Sequence, residues 1–148
     1  MEYRTKPNLS LPEFVSVFEN MILHGNPSHW DDKDFLNLIQ YYISESLTEK
    51  AMEALDYALQ FSSHHADFYV IKNRLLMQEE DFKEANETLD IALNLYPCHP
   101  ELQLMKIKVT AQLGDYEKAF TMVDNCSDQM TLNSCVDLYL AEAYIYEC

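Results

Sequence analysis

The sequence predicts an all-α fold, an α-solenoid built from stacked helix pairs. One indication is a self-match with a period of 34 residues, seen where Ala51, Ala85 and Ala119 recur, since repeat arrays are identified by a fixed period. A second is apolar residues at the spacing i, i+3, i+4 and i+7, which marks one face of a helix. In the first predicted pair these residues are Phe35, Leu38, Ile39 and Tyr42.

Small side chains at the repeated position predict close helix crossings. An alanine there lets two helix backbones approach to roughly 8–10 Å, whereas a bulky side chain would separate them. The same interval carries two further columns, Leu55, Leu89 and Val123 followed by Ala58, Ala92 and Cys126. We therefore expect both columns to face inward.

Turn and cap residues agree with the repeat. Gly114 stands where a helix must end, and glycine accepts the left-handed conformation that ends it. Asp81 and Glu84 have the spacing of a capping box. Pro97 stops one helix, and Pro100 suits the first turn of the next. These residues predict helices at about 32–45, 48–61, 66–79, 82–95, 100–113, 115–126 and 132–147.

Two segments resemble the tetratricopeptide repeat family, whose consensus reads W-x₂-L-G-x₂-Y, then A-x₃-F, then P. Ala85-x₃-Leu89 followed by Pro97 matches the second half, and Leu140-Ala141-x₂-Tyr144 matches part of the first. The sequence departs from the consensus where Lys72-Asn73 and Lys106-Ile107 replace the L-G pair, and where Gln103 and Thr110 replace aromatic residues. The resemblance implies a right-handed superhelix of antiparallel helix pairs. The order of elements looks like the N-terminal part of a longer bacterial array.

The predicted domain organisation has two parts. Residues 1–31 form a capping helix and a loop, in which Ser10 to Glu13 has the form of a capping box with an early proline. Residues 32–148 form the repeat domain, with repeats at about 32–65, 66–99 and 100–133 and a half repeat at 134–148. The apolar face of the first helix is expected to cover the first pair, because the ends of a solenoid need covering.

The C-terminal segment 132–148 is apolar nearly all round the predicted helix, which is typical of a helix buried on several sides. Two explanations stay open. Either the chain is the N-terminal fragment of a longer array, or this helix pairs with another subunit and the protein self-associates.

Charge and composition exclude several classes of function. The formal net charge of −15 disfavours nucleic acid and anionic membranes as partners, because binding phosphates needs a basic face. No apolar run approaches the length of a transmembrane helix, and the N-terminus lacks the apolar core of a signal peptide. A cytoplasmic location is the expectation.

No pattern of catalytic or metal-binding residues stands out. The four cysteines, Cys98, Cys126, Cys135 and Cys148, lack the C-x₂-C spacing of a zinc site. The sequence has no G-x-S-x-G, no phosphate-binding glycine loop and no H-E-x-x-H. We therefore predict no enzyme activity, no cofactor and no metal.

The resemblance implies that the first helix of each pair lines a concave groove. Residues beside the core face of these helices repeat every 34 positions as two apolar rows that flank a polar row. The groove residues predicted in this way are Leu36, Gln40, Ile43, Val70, Arg74, Met77, Leu104, Lys108, Ala111 and Leu138. We expect the groove to bind a peptide with apolar side chains and one or more carboxylates. The alternative is that the apolar row packs between repeats and that both cations pair with local acids such as Asp67 and Glu101.

The predicted function is a scaffold for protein–protein interaction that binds a peptide or helix without catalysis. The alternative is a small acidic chaperone that shields an apolar segment of a client, such as a secreted protein. Some tetratricopeptide domains grip a chaperone's C-terminal carboxylate with lysines and asparagines on the first helices. The matching rows here do not hold that set, so this specialisation is not expected.

Overall fold

The computed structural model describes residues 10–25, 30–61 and 65–127, and over these ranges the regular structure is helical with no strand. The helices are α1 (Leu11–His24), α2 (Asp32–Ser44), α3 (Thr48–Phe61), α4 (Ala66–Gln78), α5 (Phe82–Leu95), α6 (Pro100–Gln112) and α7 (Tyr116–Ser127). The predicted all-α class is confirmed, and the ends of the described helices agree closely with the predicted bounds. The helix predicted at 132–147, which includes Leu138, lies outside the described residues.

The chain divides into two compact units, residues 1–63 and 64–148. The first unit contains α1 to α3, and α1 packs on α2. Phe18 of α1 is 1% exposed, and its ring centroid lies 6.5 Å from that of Phe35 and 5.7 Å from that of Tyr57. Glu19 of α1 pairs with Lys50 of α3 at 3.0 Å. This helix therefore packs on the first pair.

The alanine column faces inward in all three pairs. Ala51, Ala85 and Ala119 are each 0% exposed, as are Leu55 and Leu89 in the next column. The predicted inward orientation of these columns is therefore confirmed for these five residues, and the close helix crossings stay a prediction.

The second unit places α5 against both α4 and α6, and α6 in turn packs on α7. Four of the departures from the repeat consensus are buried in its core: Asn73, Lys106, Ile107 and Thr110. Ile107 is buried with Ala111, Ala119 and Val123. Lys106, only 6% exposed, extends its ammonium group to the Asp90 carboxylate at 2.6 Å and also donates to the Asn86 side chain. A buried cation needs such partners, so Lys106 ties α6 to α5.

The turn inside each helix pair adopts one conformation three times. Its left-handed residue is Ser46, Glu80 or Gly114, with φ of 58°, 58° and 87° respectively. The same backbone bond closes each turn, from Leu47 to Tyr42 at 2.8 Å, from Asp81 to Leu76 at 2.9 Å and from Asp115 to Thr110 at 3.2 Å. The repeat therefore extends to backbone conformation, and the left-handed role predicted for Gly114 is confirmed.

Helix N-termini are capped by side chains as the sequence predicts. The backbone N–H of Ser10 donates to the Glu13 carboxylate at 2.7 Å, and this bond with that of the Ser10 hydroxyl lowers the pKa of Glu13. Asp81 accepts from the backbone N–H of Glu84 at 3.1 Å. These caps satisfy N–H groups that have no partner within the helix.

Candidate functional site

The predicted groove residues lie on the first helix of each pair, in both units. In the first unit, Leu36 is half-buried on α2, while Gln40 and Ile43 are exposed there. The second unit carries Val70, Arg74 and Met77 on α4 and Leu104, Lys108 and Ala111 on α6. Leu138 lies outside the described residues.

One cleft brings four of these residues together. Its volume is about 590 Å³, and its walls are the facing sides of α4 and α6. It is lined by Arg74, Met77 and Gln78 of α4 and by Pro100, Glu101, Leu104, Met105 and Lys108 of α6. On each helix these positions are linked by steps of three or four residues, which places them on one face.

Two predicted residues of the second unit do not present a side chain to this cleft. Ala111 is 0% exposed and packs with Ala119 and Val123 of α7. Val70 is 5% exposed. Both side chains therefore serve the core of the unit.

The middle of the cleft is apolar. Leu104 and Met77 are half-buried, and Met105 is 9% exposed beside them. A methionine side chain has three rotatable bonds and a polarisable sulfur, so it adapts its shape to an apolar ligand.

The ends of the cleft carry charge. The Arg74 guanidinium bonds to the Glu101 carboxylate at 2.8 Å, so an ion pair joins α4 to α6 across the cleft. Lys108 forms no ion pair within the described part of the chain, and its side chain is half-buried on the α6 wall. Within the described residues, one cation is therefore paired with a local acid and the other is not.

The proposed pairing of both cations with local acids holds for Arg74 alone. Asp67, the other acid considered, lies 3.4 Å from the Nδ1 atom of His65. The groove as a ligand site stays a prediction, and within the described residues its cation without an ion pair is Lys108.

Sequence reasoning left four residues out of the predicted site: Gln78, Pro100, Glu101 and Met105. Each lies three or four residues from a predicted residue. Gln78 follows Arg74 by four, Pro100 and Glu101 precede Leu104 by four and three, and Met105 precedes Lys108 by three. Extending each row by one helical turn would have found them.

A metal site and a reactive cysteine are the other chemical candidates. Within residues 10–25, 30–61 and 65–127, no group of three or more His, Cys, Asp or Glu residues is placed to hold a metal ion. Cys126 is half-buried beside the core of the second unit, and burial raises the pKa of its thiol. A thiol with a raised pKa is a weak nucleophile at neutral pH.

None of the helices in the described ranges has the length and hydrophobicity to span a bilayer.

The architecture is similar to that of a solved structure, a tetratricopeptide repeat protein from Parabacteroides merdae. The TM-score is 0.71 at 16% sequence identity, and the match covers 91% of this chain and 52% of that one. The chain has a tetratricopeptide repeat fold. It spans about half the length of the structure that it matches. No family model and no curated protein sequence matches the chain.

The cleft between α4 and α6 lies on the first helices of two successive tetratricopeptide pairs.

Proposed function

We propose that this protein binds a segment of a partner protein in the cleft between α4 and α6, without catalysing a reaction. The observation that carries the proposal is the cleft itself, with an apolar middle and, in Lys108, one cation that forms no ion pair within the described residues. A largely apolar lining with a few polar groups is typical of ligand sites. A peptide supplies both kinds of group along one chain.

The apolar middle would supply most of the affinity. An apolar side chain of the partner would contact Met77, Leu104 and Met105, and burying it would remove both surfaces from water. The charged ends would fix the direction of the segment, since polar contacts give specificity more than affinity.

The test is selection of short peptides of roughly ten residues from a randomised display library, with the full chain as bait. Affinities of the selected peptides are then measured by fluorescence anisotropy for the chain and its Leu104→Glu variant. We expect a loss of about tenfold or more, because a charge in the apolar middle replaces an anchor contact.

Leu113→Glu is the matched control, since Leu113 is 49% exposed at the end of the same helix and does not line the cleft. Its affinities should stay within about twofold of the parent, a difference well below 1 kcal/mol. Peptides that bind both variants equally well would overturn the proposal.

A second candidate function is a small chaperone for an apolar client segment, and the methionines in the cleft favour it because they adapt to varied ligands. It predicts that the selected peptides share apolar character but no position of charge. A fixed acidic position among them would instead indicate a specific scaffold.

A further inference from the structure

The charges of this cleft are distributed unlike those of the rest of the chain. The sequence holds 10 lysine and arginine residues against 25 aspartate and glutamate residues. Two of those cations line this cleft, together with one acid, Glu101. A surface that reverses the overall charge balance favours an anionic ligand by charge complementarity.

Glu101 already forms an ion pair with one of the two cations, Arg74. Its carboxylate lies 2.8 Å from the Arg74 guanidinium, and about half of each side chain is exposed. It therefore stands where an acidic group of a ligand would otherwise bond to Arg74. Exposed ion pairs of this kind are weak, so removing Glu101 would free Arg74 at little cost to the fold.

Glu101 and Lys108 mark the two ends of the cleft wall that α6 forms. Lys108 follows Glu101 by seven residues, which is about 10 Å along a helix. Leu104 and Met105 lie between them on the same wall. A complementary segment therefore has an acidic group at the Lys108 end, an apolar side chain in the middle and no second acid at the other end.

We infer that Glu101 is a specificity-determining residue, which holds Arg74 so that the cleft selects partner segments carrying one acidic side chain beside an apolar one, with that acid on Lys108. The inference rests on the proposed function. Arg74 then holds Glu101 in place and contacts the ligand only when Glu101 is removed.

The test repeats the library selection with the full chain and with its Glu101→Gln and Lys108→Gln variants as separate baits. The parent should select peptides with one Asp or Glu beside an apolar residue. Glu101→Gln should select peptides with a second acid, which bind this variant about two- to fivefold more tightly than they bind the parent. Lys108→Gln should lose the preference for the first acid.

Glu117→Gln is the matched control, because Glu117 is likewise an acid in the first turn of a helix and does not line the cleft. It should select the same peptides as the parent. Thermal unfolding followed by circular dichroism checks that each variant is folded.

The outcomes separate the two proposals. If peptides lose affinity with Leu104→Glu but show the same acid content with all baits, the role of Glu101 is overturned and the proposed function stands. If no selected peptide depends on Leu104, the proposed function fails and the inference fails with it.

Discussion

The repeated left-handed turn allows a quantitative prediction. Glu80 has φ of 58° in the turn between α4 and α5, whereas Gly114 has φ of 87° in the equivalent turn between α6 and α7. A left-handed conformation costs a residue with a β-carbon roughly 1–2 kcal/mol, and glycine avoids this cost. Glycine loses about 0.5–1 kcal/mol more conformational entropy on folding. Glu80→Gly should therefore raise the free energy of unfolding by about 0.5–1 kcal/mol.

The reverse change is Gly114→Ala. A β-carbon built on Gly114 meets no atom within 4 Å, so its cost is conformational and not steric. By the same arithmetic this variant should lose about 0.5–1 kcal/mol. Urea unfolding followed by far-ultraviolet circular dichroism measures both variants, with an unchanged slope and a shifted midpoint.

Glu79→Gly is the control, since Glu79 precedes the turn with φ of −81° and gains nothing from glycine. It should lower stability by about 0.5–1 kcal/mol through entropy alone. If Glu79→Gly and Glu80→Gly shift the midpoint in the same direction and by the same amount, the conformational argument is refuted.

Three further changes test the packing and the caps. Ala85→Leu should lower the free energy of unfolding by about 1–3 kcal/mol in urea, because Ala85 is 0% exposed and the larger side chain would overpack the core. The control is Glu87→Leu, which should cost far less because Glu87 is exposed. Equal losses for the two variants would contradict the predicted close crossing. Asp90→Asn should cost about 1–3 kcal/mol in the same assay by leaving the buried Lys106 ammonium without its carboxylate, while Glu87→Gln should stay near the parent. Equal unfolding midpoints for Asp90→Asn and Glu87→Gln would argue against a stabilising ion pair between Lys106 and Asp90. The pKa of Glu13 is lowered in the folded protein, so its cap stabilises α1 above the ordinary value of 4.5 and is lost as the pH falls through the lowered value. Trp30, whose ring centroid lies 5.5 Å from that of Phe14 on α1, should report this loss by fluorescence, and Glu13→Gln should abolish that transition.

The sequence was sufficient to predict the fold because local and repeated signals agreed. Ala51, Ala85 and Ala119 predicted the helix crossings, and the caps at Ser10 and Asp81 predicted where helices begin. Such signals act within one or two turns of the chain, so a linear pattern records them. Consistency of this kind across levels is what makes one fold preferred.

The cleft was only partly predictable. A period of 34 residues shows that Ala111 and Met77 occupy equivalent positions, but not which neighbour each one meets. Ala111 is buried against α7, while Met77 faces the cleft. The bond from Arg74 to Glu101 depends on the spacing and rotation of two helices that are separated in sequence by α5. These are tertiary quantities, and periodicity does not contain them.

The packing of α5 has a consequence for ligand fit. The two walls of the cleft are α4 and α6, and α5 contacts both of them with Ala85, Leu89 and Ala92 buried in the core. This helix therefore acts as a spacer whose side-chain volumes contribute to the width of the cleft. Under the proposed function, resizing buried residues on α5 would change which segments fit, although no ligand would touch those residues.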